Sequence, residues 1–599
     1  MDVNRFLIEV LPFVEKPSRY TGGEYNSILK EDRGLLRVAL AFPDVYEIGM
    51  SNHGLEIIYH ILNSLDFVWA ERVYLPWTDM IEKMRERGVP LFTLESRTPV
   101  EKMDILGISL EYELSYTNVI ELLKLSRIPV RSEERKESDP LVIAGGPLAG
   151  HVEPIAPAFD AVLLGDGEEA VVEIARTIYE TRGMDRHSRL KELSKIKGVY
   201  VPIFYEVRGR RVVPKFEGIP KRVEKRILRD LDSFSPPLRK VVPFLEVVHD
   251  RAVVEIMRGC TRGCRFCHAG MYYRPVRERD PDKIVEWSVE MLDSTGYEEL
   301  SLLSLSTMDY SGIDSLVEGL MKELSKRKVA LSLPSTRVDR FGVEIASKIA
   351  GVRKTGLTFA PEAGTERLRA VINKNITEED IFSTAEAALR AGWRRIKLYF
   401  MMGLPTETEE DLKAMVDLIR RIKRMGFKDL TAAVSVFVPK PHTPFQFSEV
   451  LSPEEAFERQ RIIKRARRFA KVDFHDPRMS FIEAVLSRGG RELFEVIVTV
   501  NDMGQVFDEW REMFSYERWM KAFETVGIDP GDYKGPFEVD APFPWDHLYI
   551  GIDRDFLVRE YEKALAAQQT EDCRWGRCSL CGVCFRMKVF NLLKGSQGF

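Results

Sequence analysis

Cysteine is scarce in this chain: seven in 599 residues, all gathered in two short stretches, 260–267 and 573–584. None is left over to pair elsewhere, so the thiols read as metal ligands rather than a disulfide framework. No apolar run reaches the roughly 18 residues a membrane span needs. The opening "MDVNRFLIEVLPFVEKPSRY" lacks a basic segment followed by an unbroken apolar one, and does not read as a signal peptide. The formal net charge is only −5, so no global attraction to nucleic acid or membrane is expected and any basic surface must be local. No repeat with a period of roughly 20–50 residues stands out. These absences point to a reduced, cytoplasmic compartment without a membrane partner. What is present is a globular composition, 44% hydrophobic and 30% charged. The length suffices for about three or four domains.

Between 36 and 180 the chain alternates buried strands with helical patterns. "LRVALAF" (36–42), "DILGISL" (104–110), "PLVIAGG" (140–146) and "DAVLLGDG" (160–167) are near-continuous in apolar residues, as parallel strands are. "HGLEIIYHILNSL" and "SYTNVIELLKLS" carry helical spacing between them. The expectation for 1–195 is a doubly wound, Rossmann-like α/β domain with its ligand crevice beyond the strand carboxyl ends. Gly145, Gly146, Gly165 and Gly167 lie where that crevice would be. Residues 196–250 read as a linker with a hairpin around Gly209. From 251 to 470, "RAVVEIM", "ELSLLSLS", "VALSLPS", "KTGLTFA", "RIKLYFMMG" and "LTAAVSVFVP" are six strands separated by helices, a partial (β/α)6 TIM-type barrel. Residues 471–599 read as a C-terminal α+β region with a four-cysteine tail.

Cys260, Cys264 and Cys267 are spaced C-x3-C-x2-C directly after a strand. Zinc usually takes four ligands in two separated pairs. Three thiolates on one short loop suit a 4Fe–4S cubane with one iron left open. Glycines 259 and 263 let the backbone wrap closely, and Phe266 sets an aromatic face beside the cluster. This spacing, with an aromatic before the third cysteine, resembles the radical S-adenosylmethionine (SAM) superfamily. The resemblance implies that the open iron chelates SAM and that the reduced cluster cleaves it to methionine and a 5′-deoxyadenosyl radical. A barrel gathers its site at the strand ends. By position Ser304, Ser306, Arg337, Glu362, Tyr399 and Gly403 are the expected SAM contacts. The superfamily's frequent Gly-Gly-Glu at the second strand end is replaced here by Ser-Leu-Ser-Thr. Glu362 reads equally as a salt-bridged rim residue, and "MMGLPTETEED" as a helix cap.

An α/β domain ahead of such a barrel looks like the cobalamin-binding subclass. "PDVYEIGMSNHGLEIIY", "PLVIAGGPLAGHVEPIAPAFDAVLLGDGEEAVVEI", "GLTFAPEAGTERLRAVINK" and the cysteine tail together resemble an uncharacterised bacterial family of cobalamin-type radical SAM proteins. The D-x-H-x-x-G motif of a lower-axial histidine is missing. His53 and His151 are the nearest histidines, and neither has an aspartate two residues before it. The resemblance therefore implies cobalamin held without a histidine ligand, or a relic domain holding none.

Cys573, Cys578, Cys581 and Cys584 are spaced C-x4-C-x2-C-x2-C, a full ligand set for one centre. A second 4Fe–4S cluster, zinc and a redox role all remain open. "KRVEKRILR" (221–229) and "RQRIIKRARRFAK" (459–471) are basic; such a stripe grips RNA phosphates or is a solvated helix face. The expected function is that of a radical SAM enzyme, a cobalamin-dependent methyltransferase acting on an unknown substrate. RNA or a ribosomal component is one substrate class, and flavodoxin or ferredoxin is the expected electron donor. Sulfur insertion by a methylthiotransferase is the alternative chemistry, and a nucleic-acid-binding iron–sulfur or zinc protein the alternative class.

Overall fold

Seven largely apolar residues make strand β1 (Leu36–Phe42), in which every side chain except that of Arg37 is buried. In the computed structural model, which describes residues 2–334 and 357–595, it lies inside a six-stranded sheet. The other strands are β2 (Val68–Tyr74), β3 (Ile105–Ser109), β4 (Leu141–Gly145), β5 (Ala161–Leu163) and β6 (Val199–Tyr200). Their order is β2-β1-β3-β4-β5-β6, parallel except for antiparallel β6. Helix His53–Asn63 starts where the Asn52 side chain accepts the Leu55 N–H at 2.7 Å, and packs beside helix Glu168–Glu180.

β2 does not stand out in the sequence because "VWAERVY" sets two charges in mid-strand. Both are buried. Arg72 lies between Glu24 (2.8 Å) and Glu95 (2.6 Å), and Glu71 pairs with Arg37. Unpaired, such charges would cost several kcal/mol, roughly, to bury.

The expected hairpin is β7 (Tyr205–Arg208) with β8 (Arg211–Pro214), turning at Gly209 with φ +62°. The span 196–250 is more than a linker: β6 closes the first sheet, and β9 (Val223–Glu224) pairs with Leu548–Tyr549. β10 (Ala252–Glu255) then leads to β11 (Met257–Arg258), which pairs antiparallel with β12 (Arg277–Glu278) around the first cysteine group. β13 (Glu299–Leu303) and β14 (Ala330–Ser332) complete a parallel sheet in the order β10-β13-β14. β15 (Leu357–Glu362), β16 (Arg395–Met402), β17 (Asp429–Val436) and β18 (Lys471–Phe474) form a second parallel sheet. The six expected strands are all present among these. β18, too short and too charged to stand out in "KVDF", extends the set. Helix Pro281–Thr295 shows why the intervening helices form: Asp280 caps it, Pro281 opens it, and Gly296 at φ +73° ends it.

Residues 471–599, expected as one region, are shared between neighbours. Helices Pro477–Arg488, Phe494–Asp502 and Tyr516–Val526 send Ile482, Ile497, Trp519 and Phe523 into the same core as the first sheet. Their apolar stripes find no closed core of their own. Further on, Trp545, Ile550, Phe556 and Val583 pack with Met271 and Tyr272, just past the first cysteine group. Among the described residues no helix is long and apolar enough to cross a membrane.

Candidate active site

The loop 259–267 leaves β11 through Gly259, whose φ of +91° and close approach to the Pro275 carbonyl (2.4 Å from an ideal Cβ) admit no side chain. Gly263 repeats the left-handed turn at φ +75°. Cys267 caps helix His268–Tyr272, its Sγ accepting the Gly270 N–H at 3.3 Å. Burial, and then the neighbouring Cys264, push the Cys267 thiol up to about 12, and raise Cys260 for the same reasons. Such thiols stay protonated unless cationic iron draws off their protons. Among the described residues no three ligating side chains converge as on a single ion. A cubane instead gives each thiolate its own iron, and this donor set fits it.

The loop is braced from several sides. Arg262 Nε donates to Asp309 Oδ2 at 2.8 Å, and Ser306 Oγ donates to the same oxygen at 2.6 Å. Burial opposes the Asp309 charge, but the bonds from Arg262 and Ser306 prevail and hold it at about 2. Arg265, fully buried, bonds Glu560 at 3.0 Å and the carbonyls of Ala370, Val371 and Gln568. Phe266 leans on the apolar cluster of Leu368, Leu404 and Phe437.

The expected SAM contacts divide. Ser304 lines the large cavity described below, whereas Ser306 is committed to Asp309. Glu362 ends β15 at φ +68° after a register shift and pairs with Lys374 at 3.0 Å. Tyr399 is 40% exposed on β16, under the Lys397 ammonium. Gly403, at φ +85°, donates its N–H to Glu407 at 2.9 Å. Arg337 lies outside the described residues.

Beyond the carboxyl ends of the first sheet opens a cavity of about 570 Å³, where a crevice was expected. Gly145, Gly146, Gly165 and Gly167 line it, facing Met257, Arg258 and Gly259 at the root of the cysteine loop. It does not stop at the strand ends. Leu40, Ile105, Ile143 and Leu163 of the sheet also line it, opposite Ile57, Leu62, Val171 and Ile174 of the two helices. It is therefore a slot running down the layer between sheet and helices, where close packing is the rule. His53 stands on its wall, both ring nitrogens buried without a hydrogen-bond partner and Glu56 3.8 Å away. His151 lies elsewhere, bonded to Glu113 at 3.0 Å.

The residues that join slot to loop are ones that sequence reasoning missed. Tyr272 accepts the Gly165 N–H at 2.8 Å and donates to the Gly146 carbonyl at 3.4 Å, tying both glycine turns to the helix after Cys267. Arg258, just before the loop, bonds Asp166 (3.0 Å) and Glu168 (2.6 Å) of the second turn. The acids of "GDGEE" were the available signal.

The second cysteine group abuts the first. Thr261 Oγ1 donates to Asp572 Oδ1 at 2.5 Å, and Arg574 bonds the Asp309 carbonyl at 2.8 Å. Arg274 is buried, donates its Nε to the Gly270 carbonyl at 3.1 Å, and lies near enough to Cys581, Cys573 and Cys260 for its charge to act on all three. Cys578 is exposed and Cys581 buried.

Residues 254–419 match the family described as the radical SAM superfamily, and residues 54–202 match radical SAM proteins, N-terminal. The chain thus carries radical SAM domains and is a radical SAM enzyme, with Cys260, Cys264 and Cys267 as the superfamily's cluster cysteines. It is 26% identical over 498 residues to an uncharacterized protein of the archaeon Methanocaldococcus jannaschii, covering 82% of this chain and 97% of that one. A tRNA-2-methylthio-N(6)-dimethylallyladenosine synthase of Pelotomaculum thermopropionicum is 23% identical over 269 residues, 43% of this chain and 58% of its own. Among solved structures, the radical SAM methyltransferase TsrM of Kitasatospora setae, with cobalamin and a [4Fe-4S] cluster bound, is 15% identical with a TM-score of 0.48, covering 69% of this chain and 77% of its own. The cobalamin-dependent SAM radical enzyme OxsB is 12% identical with a TM-score of 0.49, covering 90% and 82%. The family expected is an uncharacterised bacterial one; its bacterial character is not confirmed, and archaeal proteins are among the relatives.

Proposed function

We propose that the chain is a corrinoid-dependent radical SAM methyltransferase. The slot carries this reading. A void of about 570 Å³ inside the sheet–helix layer is cofactor-sized, mostly apolar, and opens toward the cysteine loop. Cys260, Cys264 and Cys267 would hold the cluster, and the slot walls the corrinoid. When bound, the cluster supplies the electron that splits the carbon–sulfur bond of SAM, and the corrinoid supplies a methyl carrier.

The chain's own residues do the rest. Tyr272 and Arg258 fix the slot mouth against the loop, so the two sites keep one distance. Leu303 and Leu305, exposed on the lining, give a bound ligand an apolar surface to cover. His53 offers its unpartnered ring nitrogens to polar groups of the ligand. Its place beside Glu56, without the D-x-H-x-x-G pattern, suits a hydrogen-bonding role.

Sulfur insertion is the second reading, favoured by the cysteine tail packed on the loop and by the methylthio chemistry named for one relative. A tail holding zinc counts against it.

Filling the slot tests the first reading. Ala175 is buried on its wall. Ala175→Phe should keep the iron content and the melting temperature, because the ring enters existing space, and should lower corrinoid binding at least tenfold. Corrinoid bound equally by both proteins would sink the proposal.

A further inference from the structure

The four cysteines of the tail range from exposed Cys578 to buried Cys581, with Cys573 and Cys584 half-buried. Cys578 is exposed, and the Leu580 N–H reaches its Sγ at 3.5 Å. Leu580 (φ +55°) and Gly582 (φ +95°) turn the chain on either side of Cys581, which is buried. The Arg274 guanidinium, 3% exposed, comes within 3.6 Å of where a Cβ on Gly263 of the first loop would lie, and its charge acts on Cys581 and Cys573 as well as on Cys260. A fixed cation there stabilises added negative charge on either cysteine-bound centre. Thr261 and Asp572, each next to a cysteine, hold the two groups together.

The outer face has a distinct chemistry. Trp575, Leu580, Phe585 and Phe590 are 58–65% exposed, and Phe585 and Phe590 meet edge to face at 6.0 Å. Around them Arg577, Arg586 and Lys588 are exposed, against one exposed acid in the tail, Glu571. Arg586 is itself paired with Asp553 at 3.3 Å. Exposed aromatic and basic side chains within one short stretch that also carries an exposed cysteine complement an acidic protein that delivers electrons.

We infer that the tail is the electron inlet of the enzyme: Cys573, Cys578, Cys581 and Cys584 hold an iron–sulfur centre, and an acidic, low-potential one-electron carrier docks on Trp575, Phe585 and the surrounding basic residues. One electron passes from the carrier, which is oxidised, to the tail centre and then past Arg274 to the cluster of the first group, which is reduced. The inference rests on the radical SAM reading of that first cluster.

The test uses the full-length, anaerobically reconstituted enzyme driven either by dithionite or by reduced ferredoxin. Failure of the wild type to form 5′-deoxyadenosine with dithionite would strike the first-cluster reading itself. Given that activity, Arg577→Glu/Arg586→Glu/Lys588→Glu should keep its iron and its dithionite-driven rate and lose at least tenfold of the ferredoxin-driven rate. Weaker ferredoxin binding should accompany that loss. In the wild type, freeze-quench EPR should show the tail centre reduced before the first cluster, with this signal absent from Cys578→Ala. Equal rates with ferredoxin, a tail loaded with zinc, or a variant that loses RNA binding and leaves ferredoxin unaffected would overturn the inference.

Discussion

Thr261 and Asp572 lie 311 positions apart and share a hydrogen bond of 2.5 Å, each beside a cysteine of a different group. The bond makes the far end of the chain part of the wall around the first cluster. Asn373 extends the seam: its Nδ2 bonds the Arg262 and Gly263 carbonyls at 3.2 Å, and its Oδ1 accepts the Thr570 N–H at 2.8 Å.

Thr261→Val removes one donor and leaves Asp572 bonded to Arg574. The cost should be about 1–3 kcal/mol, local to the seam. Limited proteolysis should cut the 570–590 segment severalfold faster, with iron at the first cluster unchanged. Unaltered cleavage would mean the tail is held by its apolar packing alone.

The two glycine turns should respond differently to alanine. At Gly165, φ is +99° and a Cβ would lie 2.0 Å from the Arg226 carbonyl. Gly165→Ala should therefore lower stability by about 3 kcal/mol or more, read as a drop in melting temperature. At Gly145 an ideal Cβ would meet nothing within 4 Å, and the residue lines the cavity. Gly145→Ala should melt normally and weaken corrinoid binding. Equal melting of the two variants would contradict the backbone geometry.

Asp508 joins a C-terminal helix to the first domain by accepting bonds from Thr117 (2.7 Å), Gln505 (2.7 Å) and Trp519 (3.1 Å). Burial raises its carboxyl to about 6 despite those donors. The folded chain thus keeps a proton that the unfolded chain releases near pH 4, roughly. This contribution to stability is full below about pH 4 and is lost as pH rises toward 6. Asp508→Asn keeps the shape and cannot ionise. Denaturant titration at pH 7 should find it more stable by roughly 2–3 kcal/mol, with the gain vanishing near pH 4. Asp44 and Glu509 are also raised by burial, and the Asp508 charge raises Glu509 further, so the difference reads Asp508 together with the relief it gives Glu509. A variant no more stable at pH 7 would show that the carboxylate is not strained there.

Much of the frame was legible because parallel strands buried on both faces write themselves as apolar runs, as "LRVALAF" and "PLVIAGG" do. Cys260, Cys264 and Cys267 were legible because local spacing is what a three-cysteine cluster loop requires. What joins distant segments was not. β2 hides behind Glu71 and Arg72, whose partners are remote in sequence. The helices between 477 and 526 carry ordinary amphipathic patterns that cannot say which core they enter. Tyr272 and Arg258, which bind slot to loop, are ordinary letters until folding sets them against Gly165 and Asp166. Ser306 was a reasonable site candidate by position, and only the fold gives its hydroxyl to Asp309.

The central claim is that the Cys260, Cys264 and Cys267 cluster cleaves SAM beside a separately held corrinoid. It is tested most directly by reconstituting wild type and Cys264→Ala anaerobically with iron, sulfide and cobalamin, then measuring bound corrinoid and 5′-deoxyadenosine after reduction. The expected result is corrinoid in both proteins and 5′-deoxyadenosine in the wild type alone. 5′-Deoxyadenosine from Cys264→Ala, or a wild type that binds no corrinoid, would contradict the account.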